Sequence, residues 1–198
     1  MNIYYDCYNN YYDKYDWLIF NDIDEYIYIK NFNNIKTFLN KPRFKKCDII
    51  QLNWVLFTDN NNIYYENKSL LERFTELDPY VKNRKIDKQS NGKSILRGYI
   101  SNIKITNFHF ISNELKSCDG FGHIVNNIRK DYKHYYFKHF YCKSTEEFID
   151  KLKKGDVYLT NNSVKIGTYF SYNKITNQKV KLIEEKVGVN LSYYYNLI

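Results

Sequence analysis

Proline and glycine are scarce in this 198-residue chain, at 2 and 7 residues, which excludes a collagen-like or Pro/Gly-rich disordered polymer. There is no run of about 18 apolar residues, so no stretch reads as a membrane-spanning helix. The start, MNIYYDCYNNYYDKYD, lacks the basic leader and smooth apolar stretch of a secretion signal, and a cytoplasmic location is the matching expectation. The four cysteines, Cys7, Cys47, Cys118 and Cys142, form no C-x-x-C and no zinc-finger spacing with histidine. They read as ordinary buried thiols of a reducing compartment, although an even count leaves disulfides open. No internal repeat or low-complexity linker marks a second domain.

What the chain does have is apolar surface, 43% hydrophobic and 19% aromatic residues, enough at this length for one well-buried core. A net charge of +8 and 22 tyrosines invite a nucleic-acid reading. The basic residues are spread among 22 acidic ones, however, and the densest groups, KPRFKK at 41–46 and KLKK at 151–154, are short. A solvated basic surface accounts for that pattern better than a dedicated groove, so no nucleic-acid partner is expected and a basic nucleic-acid-binding protein is the last alternative.

Tyr4, Tyr8, Tyr11 and Tyr15 recur at helical spacing and predict a helix over 4–15 with an aromatic stripe packed on a sheet. Trp17-Leu18-Ile19-Phe20 is a short continuous apolar run, which predicts a central strand over 17–21 covered on both faces. Further elements are YIYI at 26–29, a short helix at 34–40 ending before Pro42, and a strong strand at 47–57 rich in Ile, Val, Trp and Phe. Residues 66–74 are weakly helical, and KQSNGKS at 88–94 reads as an exposed loop. Strands are expected at 99–111 and 134–141. Ser144 and Glu147 then form a capping box that opens a helix over 144–154, closed by Gly155 and packed on the sheet. Periodicity weakens from 156 onward, apart from a helix at roughly 176–187.

Asp22-Ile23-Asp24 follows the first strand. In extended backbone, residues i and i+2 share a face, so the two carboxylates can hold one hard divalent cation, Mg²⁺ or Mn²⁺, completed by substrate phosphates and water. The end of a buried strand is where ligands sit in open α/β sheets. An EF-hand is excluded because Tyr26 fills the third ligand position. Tyr26 also stands where a haloacid-dehalogenase-type phosphatase has a hydroxyl residue two places after the second Asp, which weakens that reading.

The string Asp16-Trp17-Leu18-Ile19-Phe20-Asn21-Asp22-Ile23-Asp24-Glu25-Tyr26-Ile27 resembles the D-x-DEF segment of glycosyltransferase family 92 and related family-2-like transferases of the GT-A fold. Two further blocks match in order. Gln51-Leu52-Asn53-Trp54-Val55-Leu56-Phe57 with Leu71-Glu72-Arg73-Phe74 is one, and His139-Phe140-Tyr141-Cys142-Lys143-Ser144-Thr145-Glu146-Glu147-Phe148 is the other. The resemblance implies an α/β fold, with a mixed sheet and flanking helices forming the carboxy-terminal part of a Rossmann-like GT-A domain. Residues 1–155 would be the transferase-like domain and 156–198 an extension.

It also implies metal-dependent transfer of a sugar from a nucleotide-sugar donor to a glycan or other acceptor. In that reading Asp22, Asp24 and His139 converge on Mn²⁺ or Mg²⁺, with Glu72 or else Asp59 as catalytic base. Trp54, Arg73 and Lys143 contact donor or acceptor. Core packing for Trp54 and a structural ion pair of Glu72 with Arg73 are the competing readings. Only 21 residues precede Asp22, so the base-binding wall of the donor pocket is expected to be missing. A fragment, a partner chain that completes the site, or a remnant without catalysis would each explain that. Weak donor binding, self-association at the open sheet edge and a non-catalytic glycan-binding role are the corresponding expectations.

Overall fold

The computed structural model describes residues 3–77, 91–101, 103, 115–155 and 161–198. The chain divides into two units, Met1–Val55 with Ile86–His139 and Leu56–Lys85 with Phe140–Ile198.

The first unit carries α1 (Ile3–Tyr11), β1 (Trp17–Ile19), β2 (Glu25–Ile29), α2 (Ile35–Leu39), a 3-10 turn at Pro42–Phe44, β3 (Ile49–Leu56), β4 (Gly92–Arg97), β5 (Ser117–Cys118) and β6 (Tyr135–His139). The strands form one sheet in the order β1-β4-β3-β6-β2, with β5 beside β3. β4 runs antiparallel to both β1 and β3, β2 antiparallel to β6, and β5 parallel to β3, so the sheet is mixed as expected. β3 forms because its β-branched and aromatic residues suit a pleated surface buried on both sides, and Ile49 through Asn53 are all buried.

β1 is not central: it lies at the end of the strand order and pairs only with β4 among the described residues. Its two faces are nonetheless covered. Leu18 packs with Tyr8, Ile49 and Leu96, while Trp17 and Ile19 pack against the cluster of Phe38, Ile50, Ile95 and Phe137. An apolar run reports covered faces, and these lie at right angles to the direction in which backbones pair.

α1 stops at Tyr11, and of the tyrosine stripe Tyr8 alone is fully buried. Its hydroxyl donates to the carbonyls of Arg97 (2.7 Å) and Ile100 (3.1 Å), and burial pushes its pKa up to about 12. Tyr4, Tyr11 and Tyr15 are exposed. β4 occupies part of the expected loop at 88–94. A Cβ at Gly92 would overlap the Leu52 carbonyl, so glycine there serves close strand approach and not a turn. Of the strand expected at 99–111, residues 102 and 104–111 lie outside the described residues, and 99–101 and 103 are not in a strand.

The reading of four ordinary thiols is corrected by a disulfide between Cys47 and Cys118. The parallel pairing of Ile49 with Ser117 and Ile50 with Cys118 carries the second cysteine to the entrance of β3. Cys7 and Cys142 take no part in a disulfide. No helix among the described residues is long and apolar enough to cross a membrane.

The second unit carries α3 (Leu70–Arg73), α4 (Thr145–Lys154), α5 (Asn162–Tyr172), α6 (Asn177–Val187) and α7 (Ser192–Tyr195). α4 has the expected capping box, in which Ser144 accepts from the Glu147 N–H and Glu147 from the Ser144 N–H. It closes at Gly155 with φ 79°. Its apolar residues Phe148, Ile149 and Leu152 join Ile166, Tyr169, Val180 and Ile183 in a helical core. α5 was not legible in the sequence. Asn161 caps it by accepting from the Ser163 N–H, and Ile166, Tyr169 and Phe170 give it a short buried stripe.

Candidate functional site

In the first unit the chain leaves β1 and turns at Asn21–Asp24 into β2. The turn is closed by the Glu25 N–H donating to the Asp22 carbonyl (3.1 Å) and the Asp22 N–H donating to Glu25 Oε2 (3.3 Å). The β1–β4 register sets Ile19 opposite Ile95, and continuing it by two residues sets Asn21 opposite Lys93. The Lys93 ammonium lies 2.9 Å from Asp22 Oδ2 and 3.3 Å from Glu25 Oε2. Lys93 and Glu25 are buried, whereas the Asp22 side chain is 55% exposed.

Burial dominates Glu25 and pushes its carboxyl up in spite of Lys93. Burial alone would lower the Lys93 ammonium, but Asp22 and then Glu25 outweigh it and raise it. The two directions agree with the distances: Lys93 favours Asp22, and Glu25 Oε1 has no hydrogen-bond partner among the described residues.

His139 pairs with Glu25 across β2 and β6, so the backbone brings it to within one residue of Asp24 in register. Its ring stands 4.5 Å from the Trp54 indole, centroid to centroid. Trp54 is half-buried against the core cluster of the sheet, the packing role named as its alternative. No group of three or more His, Cys, Asp or Glu side chains is arranged to hold a metal among the described residues, so Asp22, Asp24 and His139 do not form a three-ligand set. Lys93 is buried between Asp22 and Glu25 and points its ammonium at the turn. With Asp22 half-exposed, the hard carboxylate oxygens fit a divalent cation that takes its other ligands from a phosphorylated substrate and water.

The remaining expected residues fall in the second unit, where each has a structural partner. Asp59 is 1% exposed. Its Oδ2 lies 2.6 Å from the buried Lys179 ammonium and accepts from the Tyr169 hydroxyl at 2.6 Å, and its Oδ1 accepts from the Asn61 N–H at 2.8 Å. A carboxylate so enclosed is no base for a substrate hydroxyl. Glu72 caps α3 by accepting from the Ser69 hydroxyl (2.6 Å) and N–H (2.9 Å), and these bonds hold its carboxyl below the usual range, which makes it a poorer proton acceptor. Lys143 has a left-handed backbone (φ 53°), is half-buried and leads into the α4 cap.

Arg73 is buried and pairs with Glu147, not Glu72, through two parallel bonds of 2.7 and 3.0 Å, with its guanidinium over the Tyr65 and Phe74 rings. It is therefore no sugar contact. Burial alone would raise the Glu147 carboxyl, but Arg73 and Ser144 outweigh it and hold it below the usual range. The pair's contribution is present above the unfolded glutamate pKa of about 4.3. It is expected to be lost as pH falls through the lower folded value. Urea midpoints measured against pH should show an acid limb that flattens in Glu147→Gln.

Glu25 and Lys93 are not among the expected site residues, although the structure places both at this turn. Glu25 was part of the recognised string without a role, and Lys93 lay in a segment read as a loop.

The sequence profile of glycosyltransferase family 92 matches residues 1–189. No curated protein matches the chain.

Proposed function

Because the chain belongs to glycosyltransferase family 92, we propose that it transfers a sugar from a nucleotide-sugar donor to a glycan acceptor at the Asp22–Glu25 turn, with Mn²⁺ or Mg²⁺ held by Asp22 and Asp24. The observation that carries this is the buried Lys93 between Asp22 and Glu25, which braces a half-exposed carboxylate at the end of β1. A bound divalent ion would supply charge neutralisation of the departing nucleoside diphosphate.

Asp22 and Asp24 present oxygens at the turn. Glu25 accepts the Asp22 N–H and so holds the turn closed. Lys93 orients Asp22 through a charged hydrogen bond and keeps a fixed positive charge beside the place where diphosphate charge develops, which needs no reorganisation during reaction. The Trp54 ring, tilted against His139, offers an apolar face for a sugar ring.

Calorimetry with uridine diphosphate as probe tests the reading. Binding is expected only with Mn²⁺ or Mg²⁺ present, and Asp22→Asn and Asp24→Asn should each weaken it by about 10- to 100-fold while leaving the circular dichroism spectrum unchanged. Binding that ignores both the metal and the two substitutions would remove the metal-dependent mechanism.

A further inference from the structure

A cleft of about 430 Å³ opens on the first unit over Gln51 of β3, between the segment that follows β5 and the start of β6, and none of its lining residues belongs to the Asp22–Glu25 turn. That volume lies within the range of small-molecule sites, roughly 300–1,000 Å³. Its walls are tied in place by two carboxylates. Asp119 accepts from the Phe121 and His123 N–H groups (2.9 Å each), from Arg129 (3.1 Å), and contacts the His123 ring at 3.2 Å. Asp131 accepts from the Lys133, His134 and Tyr135 N–H groups, and its own N–H donates to Asn53 at 2.7 Å. Both carboxylates are spent on the loop, and so the chemistry left for a ligand comes from other groups.

Gln51 is one of these. It is 7% exposed, it lines the cleft, and its Oε1 has no donor among the described residues. An orphaned buried acceptor carries its desolvation cost uncompensated, and a ligand donor would recover it. The last torsion of a glutamine is broad, so a small turn of the amide presents this oxygen to the cleft. Arg129 is the second: its side chain is 61% exposed and one nitrogen bonds Asp119, which leaves other N–H donors. Phe121 is the third, 39% exposed and held edge-on to Tyr135 at 4.9 Å.

We propose that this cleft binds a neutral saccharide. A sugar hydroxyl donates to Gln51 Oε1, neighbouring hydroxyls accept from Arg129, and the C–H face of the ring lies on Phe121. Each hydroxyl both donates and accepts, which matches a wall that offers both kinds of group. The carboxylates of Asp119 and Asp131 offset the charges of Arg129 and Lys130, so the cleft has no net charge to draw a phosphate. The inference goes beyond the transfer reading and stands without it.

The test is NMR titration of the whole chain with galactose, mannose and N-acetylglucosamine and their oligosaccharides, with uridine monophosphate and inorganic phosphate as rivals. Expected are shifts at Gln51, Phe121 and Arg129, at least tenfold weakening in Phe121→Ala and in the surface variant Arg129→Gln, and undiminished binding in Asp22→Asn. The last result separates this cleft from the proposed donor site. The proposal is overturned if none of the sugars shifts these residues, if both variants bind as the parent does, or if only the nucleotide or phosphate binds.

Discussion

Replacing Lys179 by methionine is expected to destabilise the helical unit by about 3–5 kcal/mol, the usual cost of leaving one member of a buried ion pair alone. Lys179 and Asp59 are 0% and 1% exposed and their charges lie 2.6 Å apart. Lys179 also donates to the Lys174 carbonyl at 3.0 Å and to Asn61 Oδ1 at 3.3 Å, so one ammonium holds together the start of α6 and the turn after β3. Tyr169 completes the group: burial, then the neighbouring Asp59 charge, pushes its hydroxyl well up, and it remains a neutral donor. Urea unfolding followed by circular dichroism measures the loss. Asp59→Asn combined with Lys179→Met should cost less than the sum of the two single changes, because neither charge is then stranded. Single variants that each cost under about 1 kcal/mol would show the pair to be solvated in solution.

Loss of the Cys47–Cys118 disulfide is expected to cost about 4 kcal/mol. The chain-entropy relation gives that value for a closed loop set by the sequence separation of 71, and measured losses run from about 2 to 5 kcal/mol. For a chain of this size the drop in Tm is on the order of 10 °C. Both sulfurs are buried in the sheet's main cluster with Phe38, Phe44, Ile50 and Ile95, so Cys47→Ala with Cys118→Ala adds a packing loss to the entropic one. Thermal melts with and without dithiothreitol, and of the double variant, read the effect. Thiol titration of the denatured, unreduced protein should find two free thiols, Cys7 and Cys142. Four titrated thiols, or melts indifferent to reductant, would contradict the bond. A bond of this kind persists in oxidising surroundings, unlike the reducing compartment the cysteine pattern suggested.

Elements whose cause is local could be read directly from the residues. β3 is visible because Ile49, Ile50, Leu52, Trp54 and Val55 carry strand preference in their own side chains. α4 is visible because Ser144, Glu147 and Gly155 supply both caps within twelve residues, and α6 because its apolar spacing holds for three turns. The apolar run into Asp22-Ile23-Asp24-Glu25, with the two blocks that follow it, was likewise enough to place the chain in its family.

Partner choice was decided elsewhere. Nothing near Lys93 indicates that it will stand beside Asp22, 71 residues away, since the β1–β4 register puts it there. Arg73 lies next to Glu72 in sequence but pairs with Glu147, because Glu72 is spent on the Ser69 cap. Asp59 reads as an ordinary surface carboxylate until Lys179 and Tyr169 close over it. β1 reads as central because both faces are covered, and the order of the described strands puts it at one end. In each case residue type sets what a side chain can do, while the free energy that selects its partner comes from burial and register, and these exist only once distant segments have packed.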